Sequence, residues 1–254
     1  MSMKVYMKTD TGKIRSSNQD AMFSVQPEPE VFCVAVCDGM GGANGGSVAS
    51  ELCVSTLQDQ VQKAYHADMS DKSALQMLAT AMYNANRVIY EKAQKSEELS
   101  GMGTTAVLAL ARQDRLFLAH VGDSRALLLR NGTVTQLTHD HTIVQAMVDS
   151  GQISEQQALK HPQKHIITRA VGVLPDVEID DSEWELQQND LVLLCSDGLS
   201  NHLDNEQICR AAEQLAPKDL AEELIALANE NGGSDNITVI VIDVDEPTGG
   251  VENG

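Results

Sequence analysis

Val31-Phe32-Cys33-Val34-Ala35-Val36-Cys37-Asp38-Gly39-Met40-Gly41-Gly42 is an apolar run that stops at an acid and breaks into glycines. The run is short and β-branched, which favours a buried strand over a helix. A carboxylate at the end of such a strand is held rigidly, and the glycines let backbone and ligand approach it. The arrangement recurs at Leu191-Val192-Leu193-Leu194-Cys195-Ser196-Asp197-Gly198. Working outward, Val5 to Thr9 and Ala21 to Gln26 read as strands before the first run. Gly46 to about Tyr65 and Ser73 to about Lys95 repeat apolar residues at helical spacing (Leu75, Leu78, Ala79, Met82, Ala85, Ile89) and predict two long amphipathic helices.

A second strand-rich block spans Thr104 to Ala111, Arg115 to Val121, Arg125 to Arg130 and Thr133 to Leu137. Asn131-Gly132 signals a type I′ hairpin between the last two, and the block reads as an antiparallel meander. His139 to His165 is polar and broken by Gly151 and Pro162, which predicts a short helix and then a mobile flap near 145–166. Strands return at Val177 to Trp184 and Asp190 to Cys195, followed by helices at Asn205 to Gln214 and Lys218 to Glu230 and a last apolar strand, Ile237 to Val244. Strands and helices arrive in blocks, so the fold class is α+β: antiparallel sheets packed together with helices outside. One domain over 1–245 is expected, with 246–254 as a disordered tail.

The chain carries 18 Lys and Arg against 37 Asp and Glu, a formal net charge of -19. Nucleic acid and anionic membrane need a basic surface and are excluded as partners. No stretch approaches the roughly 20 apolar residues of a membrane span, and the first ten residues lack the apolar core of a signal peptide, so a cytoplasmic location is expected. Five cysteines, Cys33, Cys37, Cys53, Cys195 and Cys209, form no CxxC pair and sit mostly in apolar runs, as buried reduced thiols do.

Two further acids share the turn setting of Asp38 and Asp197: Asp123 in Val121-Gly122-Asp123-Ser124-Arg125, and Asp235 in Gly232-Gly233-Ser234-Asp235-Asn236. Asp20, in Asn18-Gln19-Asp20, makes a fifth. A single Asp-Gly is an ordinary turn, and Asp10, Asp204 and Asp219 read as turn or cap residues. Repetition after apolar strands is what singles out the five. Hard oxygen ligands select magnesium or manganese over zinc or copper. Several carboxylates around shared ions suit two-metal chemistry and phosphate ester hydrolysis.

With these residues in place, the chain resembles the metal-dependent protein phosphatases, the type 2C Ser/Thr family, in its compact bacterial branch. The resemblance runs from Thr9 to about Val244 through Thr9-Asp10-Thr11-Gly12, Arg15, Asn18-Gln19-Asp20, Asp38-Gly39-Met40-Gly41-Gly42, Gly101-Met102-Gly103-Thr104-Thr105, Val121-Gly122-Asp123-Ser124-Arg125, Ile167-Thr168-Arg169-Ala170-Val171-Gly172, Ser196-Asp197-Gly198-Leu199 and Ser234-Asp235-Asn236. It implies a four-layer α-β-β-α sandwich. It further implies a first metal on Asp38, Asp197 and Asp235, a second on Asp20, Asp38 and the Gly39 carbonyl, and a weaker third on Asp123 and Asp197. The ions would be Mn2+ or Mg2+, Arg15 would grip the substrate phosphate, and metal-activated water would hydrolyse phosphoserine and phosphothreonine without a phosphoenzyme. Phosphorylated proteins and a cognate Ser/Thr kinase are the implied partners, and monomer is the default state.

Met40 and Ala43 stand where relatives place a histidine, which leaves a metal-bound water as the expected proton donor. His139, His141, His161 and His165, around the flap, read as solvated surface groups. Two other classes compete. Gly39-Met40-Gly41-Gly42-Ala43-Asn44 imitates a dinucleotide-binding turn, but its third glycine is missing. A non-catalytic phosphoprotein-binding relative would be expected to have lost metal carboxylates, and none of the five is missing.

Overall fold

The computed structural model describes residues 1–245; the tail expected at 246–254 lies outside the described residues. The strands are β1 (Ser2–Asp10), β2 (Asp20–Glu28), β3 (Val31–Met40), β4 (Gly103–Thr104), β5 (Ala106–Arg112), β6 (Arg115–Val121), β7 (Arg125–Arg130), β8 (Thr133–Gln136), β9 (Asp180–Glu185), β10 (Leu191–Cys195) and β11 (Ile237–Asp245). The helices are α1 (Gly42–Ala64), α2 (Asp71–Ala93), α3 (Ile143–Asp149), α4 (Glu155–Ala158), α5 (Asp197–Ser200), α6 (Asn205–Gln214) and α7 (Pro217–Glu230). One sheet runs β1-β11-β10-β7-β8, the other β2-β3-β5-β6-β9 with β4 on β3, and every pairing is antiparallel.

The central strands β3, β5, β6, β10 and β11 read as apolar because they bury both faces, and alternation along the chain sorts their side chains into three cores. On β3, Cys33, Ala35 and Cys37 pack with α1 and α2 residues such as Leu57, Leu78, Met82 and Ile89. Val34 and Val36 point the other way, into the space between sheets, where they meet Val192, Leu194, Ile240 and Ile242. On β10 and β11, Leu193, Cys195, Val239 and Val241 face Ile208, Leu220 and Leu224 of α6 and α7. Three cores separate four layers, which is the α-β-β-α sandwich expected.

The meander is where the structure departs from the sequence reading. β5 and β6 pair in one sheet, whereas β7 and β8 pair in the other, so the chain crosses between sheets at 122–124. Apolar periodicity cannot distinguish a turn within a sheet from a crossing when the strands on either side are buried on both faces. The hairpin at Asn131-Gly132 does form, with φ of 51° and 72° as a type I′ turn requires. The 145–166 excursion holds a second short helix, α4, closed by a Ser154–Gln157 capping box, and its base is fastened by a bridge between Thr142 and Ile167. β3 and α1 do not build a dinucleotide turn, since β2, β4 and β5 all run antiparallel to β3 and no parallel βαβ unit exists there. No helix among the described residues is long and apolar enough to cross a membrane.

Candidate active site

Antiparallel pairing brings the start of β2 beside the end of β3, with Asp20 opposite Asp38. β10 ends where β11 begins, Cys195 opposite Val239, so Asp197 on the first turn of α5 and Asp235 just before β11 open at the same end of the sandwich. Asp123 reaches that end on the crossing between sheets. Electrostatics shows that the acids converge. Burial, then the charges of Asp20, Asp197, Asp123 and Asp235, push the Asp38 carboxyl well above its ordinary range. Burial and the neighbouring Asp197 take Asp123 up to about 7. Asp20 rises to about 6, driven by burial, although hydroxyl donors pull it back. Asp197 is raised by burial and by Asp235, and the Asp38 carboxyl lies within hydrogen-bond reach of it.

A shell of hydrogen bonds fixes these groups. Asp20 Oδ2 accepts from Ser196 Oγ at 2.8 Å and Thr238 Oγ1 at 2.6 Å. Because Thr238 gives its proton to Asp20, Thr9 Oγ1, 2.7 Å away, donates to Thr238. Thr105 holds the Asp38 backbone twice: its Oγ1 accepts from Asp38 N at 3.0 Å and its N–H donates to Asp38 O at 2.8 Å. Asn236 accepts from Gln19 N and donates to the carbonyls of Thr11 and Ser17, so the loop carrying Arg15 is tied to the neighbour of Asp235. Arg15 Nη2 itself donates to Asp235 Oδ2 at 2.7 Å. Glycine is obligatory at the β3–α1 junction, where a Cβ on Gly39 would sit 2.1 Å from the Gly46 carbonyl oxygen.

Whether this set fits divalent cations can be tested on its own atoms. Asp20 Oδ1 and Asp197 Oδ1 are buried and have no hydrogen-bond partner. Each would carry the desolvation cost of an unpaired charge, which a cation removes. Like charges packed this closely, all oxygen donors, fit hard ions such as Mg2+ or Mn2+.

A second cluster was not anticipated. His120, His141 and Asp180 bring donor atoms within 4.8 Å of one another. His141 is 5 % exposed, which corrects the expectation of a solvated side chain. Its Nδ1 accepts from Gly122 N, so the neutral ring carries its proton on Nε2 and donates to Asp180 Oδ2 at 3.2 Å. Burial lowers both histidines, which stack with centroids 4.8 Å apart. Arg169 Nη1 lies 2.7 Å from Asp180 Oδ1 and 3.2 Å from His141 Nε2, so a guanidinium occupies the place a metal would need. The cluster braces Asp123's crossing loop against the flap base, where Thr168 N donates to His141 O. His139, by contrast, is half exposed and pairs with Asp149, as a surface histidine does.

A sandwich of this topology with acids gathered at one end of its strands defines a protein phosphatase of the 2C type. The profile of the Protein phosphatase 2C family matches residues 13–237, and the chain belongs to that family. Its relatives narrow the class. The chain is 38 % identical over 246 residues to the serine/threonine phosphatase stp of Listeria monocytogenes, covering 96 % of each chain. The S. agalactiae serine/threonine phosphatase superposes with a TM-score of 0.89 at 37 % identity, over 96 % of this chain and 100 % of that one. The catalytic domain of the phosphatase PstP, solved in complex with two manganese ions, gives 0.83 at 35 % identity, over 96 % and 99 %. The chain is a serine/threonine protein phosphatase, a hydrolase.

Proposed function

We propose that residues 1–245 form one catalytic domain that hydrolyses phosphoserine and phosphothreonine in proteins directly, without a phosphoenzyme intermediate. The observation that carries the reading is the pair of buried, unpartnered oxygens, Asp20 Oδ1 and Asp197 Oδ1, within a cluster of raised carboxyls. Asp38, Asp197 and Asp235 would hold a first Mn2+ or Mg2+, Asp20, Asp38 and the Gly39 carbonyl a second, and Asp123 and Asp197 a weaker third. When bound, such ions supply a water of lowered pKa and positive charge for the phosphoryl oxygens.

The chain's own groups do the rest. A guanidinium has five N–H donors, so Arg15, half exposed and sharing one with Asp235, keeps others for two phosphate oxygens. Asp38, bonded through its backbone to Thr105, is held in place at the end of β3. Neither cysteine beside the site offers a thiolate nucleophile: Cys37 and Cys195, next to Asp38 and Ser196, are fully buried, and their thiols are pushed up, that of Cys195 to about 12. With Met40 following Gly39, the leaving oxygen takes its proton from water.

Substrates are phosphoproteins, among them a cognate Ser/Thr kinase and its targets, and the protein acts as a cytoplasmic monomer. Phosphate release from a phosphothreonine peptide tests the reading, run with manganese, with chelator, and with Asp197→Asn. Turnover with manganese that is lost in both controls is expected. Turnover unaffected by chelator would exclude the metal roles, and none from folded, manganese-supplied protein would exclude catalysis.

A further inference from the structure

Two of the acids proposed to share the first ion sit on separate elements, Asp197 on the first turn of α5 and Asp235 on the 231–236 connection before β11. Both elements are touched by one imidazole that the sequence does not single out. His202 Nδ1 lies 2.8 Å from Gly198 O, the carbonyl directly after Asp197. His202 Nε2 lies 3.2 Å from Ser234 N, the amide directly before Asp235, and 3.0 Å from Ser234 Oγ. A carbonyl only accepts and a backbone N–H only donates, so the two contacts fix the ring: Nδ1 carries the proton, and Nε2 is the acceptor. The main chain of the same residue closes the loop, with Asn231 Nδ2 donating to His202 O at 2.9 Å.

We infer that His202 is a positioning residue for the metal site: its neutral imidazole spans Gly198 and Ser234 and sets the separation of the Asp197 and Asp235 carboxylates. This rests on the metal reading above. Partners beyond the ligands orient them, and losing one typically costs about 10- to 100-fold in metal affinity. Two conservative variants each keep half of the span. In His202→Asn the side-chain amide nitrogen stands at the level of Nδ1 and can still donate to Gly198 O. In His202→Gln the side-chain oxygen stands at the level of Nε2 and can still accept from Ser234 N.

The test is titration calorimetry of manganese into the chelator-stripped full chain, beside thermal melting in chelator and steady-state turnover. His202→Ala is expected to weaken manganese binding about 10- to 100-fold. Asn and Gln should each recover part of the affinity, and kcat should return toward wild type at saturating manganese. A purely structural role would lower the melting temperature and leave the manganese Kd unchanged, and that result overturns the inference. Should His202→Ala fail to fold, wild-type affinity in both Asn and Gln variants overturns it, and intermediate affinity in both supports it. Absence of manganese binding by the wild type would overturn the metal reading and this inference together, whereas binding unchanged by substitution overturns this inference alone.

Discussion

Arg15 pairs with Asp235, and in the proposed site it would also grip the substrate phosphate. It is 52 % exposed and bonded to Asp235, an arrangement that an ordinary surface ion pair would share. What distinguishes it is the company: its pKa is raised first by the hydrogen bond and charge of Asp235, and also by Asp38 and Asp197, acids on two other elements. Hydrogen bonds to charged groups are worth about 1.5–3 kcal/mol, or roughly 10- to 100-fold in rate. Arg15→Ala is therefore expected to lower kcat/KM for a phosphopeptide by that factor. Arg15→Lys should restore only a minor part, because an ammonium cannot match two oxygens at once. Steady-state kinetics decide it, and an unchanged kcat/KM for Arg15→Ala would remove Arg15 from the phosphate site. At this scale the sequence was legible wherever chemistry and turn propensity coincide. Asp204 caps α6 with a full capping box, and Asp10 accepts from Gly12 N, as turn acids do. His141 was misread because its neighbours in sequence are polar, while its burial comes from Gly122, His120 and Asp180, all remote along the chain.

At the scale of elements, the ends of strands do the positioning, and α5 is the tightest of these junctions. A Cβ on Gly198 would lie 1.9 Å from Asn236 O, a backbone atom of the loop entering β11. Relief requires α5 and β11 to separate, so Gly198→Ala is expected to cost about 3 kcal/mol, the upper end for overpacking. For a chain of this size that is a fall in Tm of roughly 6–12 °C. Thermal melting in chelator measures it without reference to catalysis; a shift under a degree would mean that the junction is softer than its geometry indicates. Strand and helix identities were readable from apolar period and from Asn131-Gly132. Sheet membership was not. Leu118 of β6 and Leu128 of β7 lie in the same inter-sheet core although their strands belong to opposite sheets, and no local pattern encodes that. α5, one turn long, and α4, set by a local capping box, are too short for periodicity to register.

Across the whole molecule, the acids make stability depend on pH in an unusual direction. Asp20 at about 6, Asp123 at about 7, and Asp38 and Asp197, also raised, all stand above the ordinary 3.8 of an unfolded chain. A raised folded pKa contributes stability that is complete below the unfolded value and is lost as pH rises through the folded one. In chelator, the cluster therefore weakens the fold progressively from about pH 4 to beyond pH 7. Ions compete with those protons, so manganese should raise Tm by several degrees more at pH 8 than at pH 6. His120 and His141 act oppositely: burial lowers them, and their contribution fades as pH falls below about 6.5. That contribution enters the scans with and without manganese, so the comparison is made on the manganese-induced shift. Scanning fluorimetry at the two pH values settles the point, and a manganese-induced shift independent of pH would refute it.

The sheet order has a consequence for how the chain is made. β1 has one neighbour, β11, and it pairs with it along its whole length, Ser2 opposite Asp245 through Asp10 opposite Ile237. β1 thus waits for β11 to be made before it can pair. At about 5–20 residues per second, the interval is on the order of ten seconds or more, during which β1 has both edges open. Nor can the acids gather sooner, because Asp235 precedes that same final strand. A nascent chain stopped short of Asp235 would hold at most four of the five acids, an unclosed sheet and no complete site.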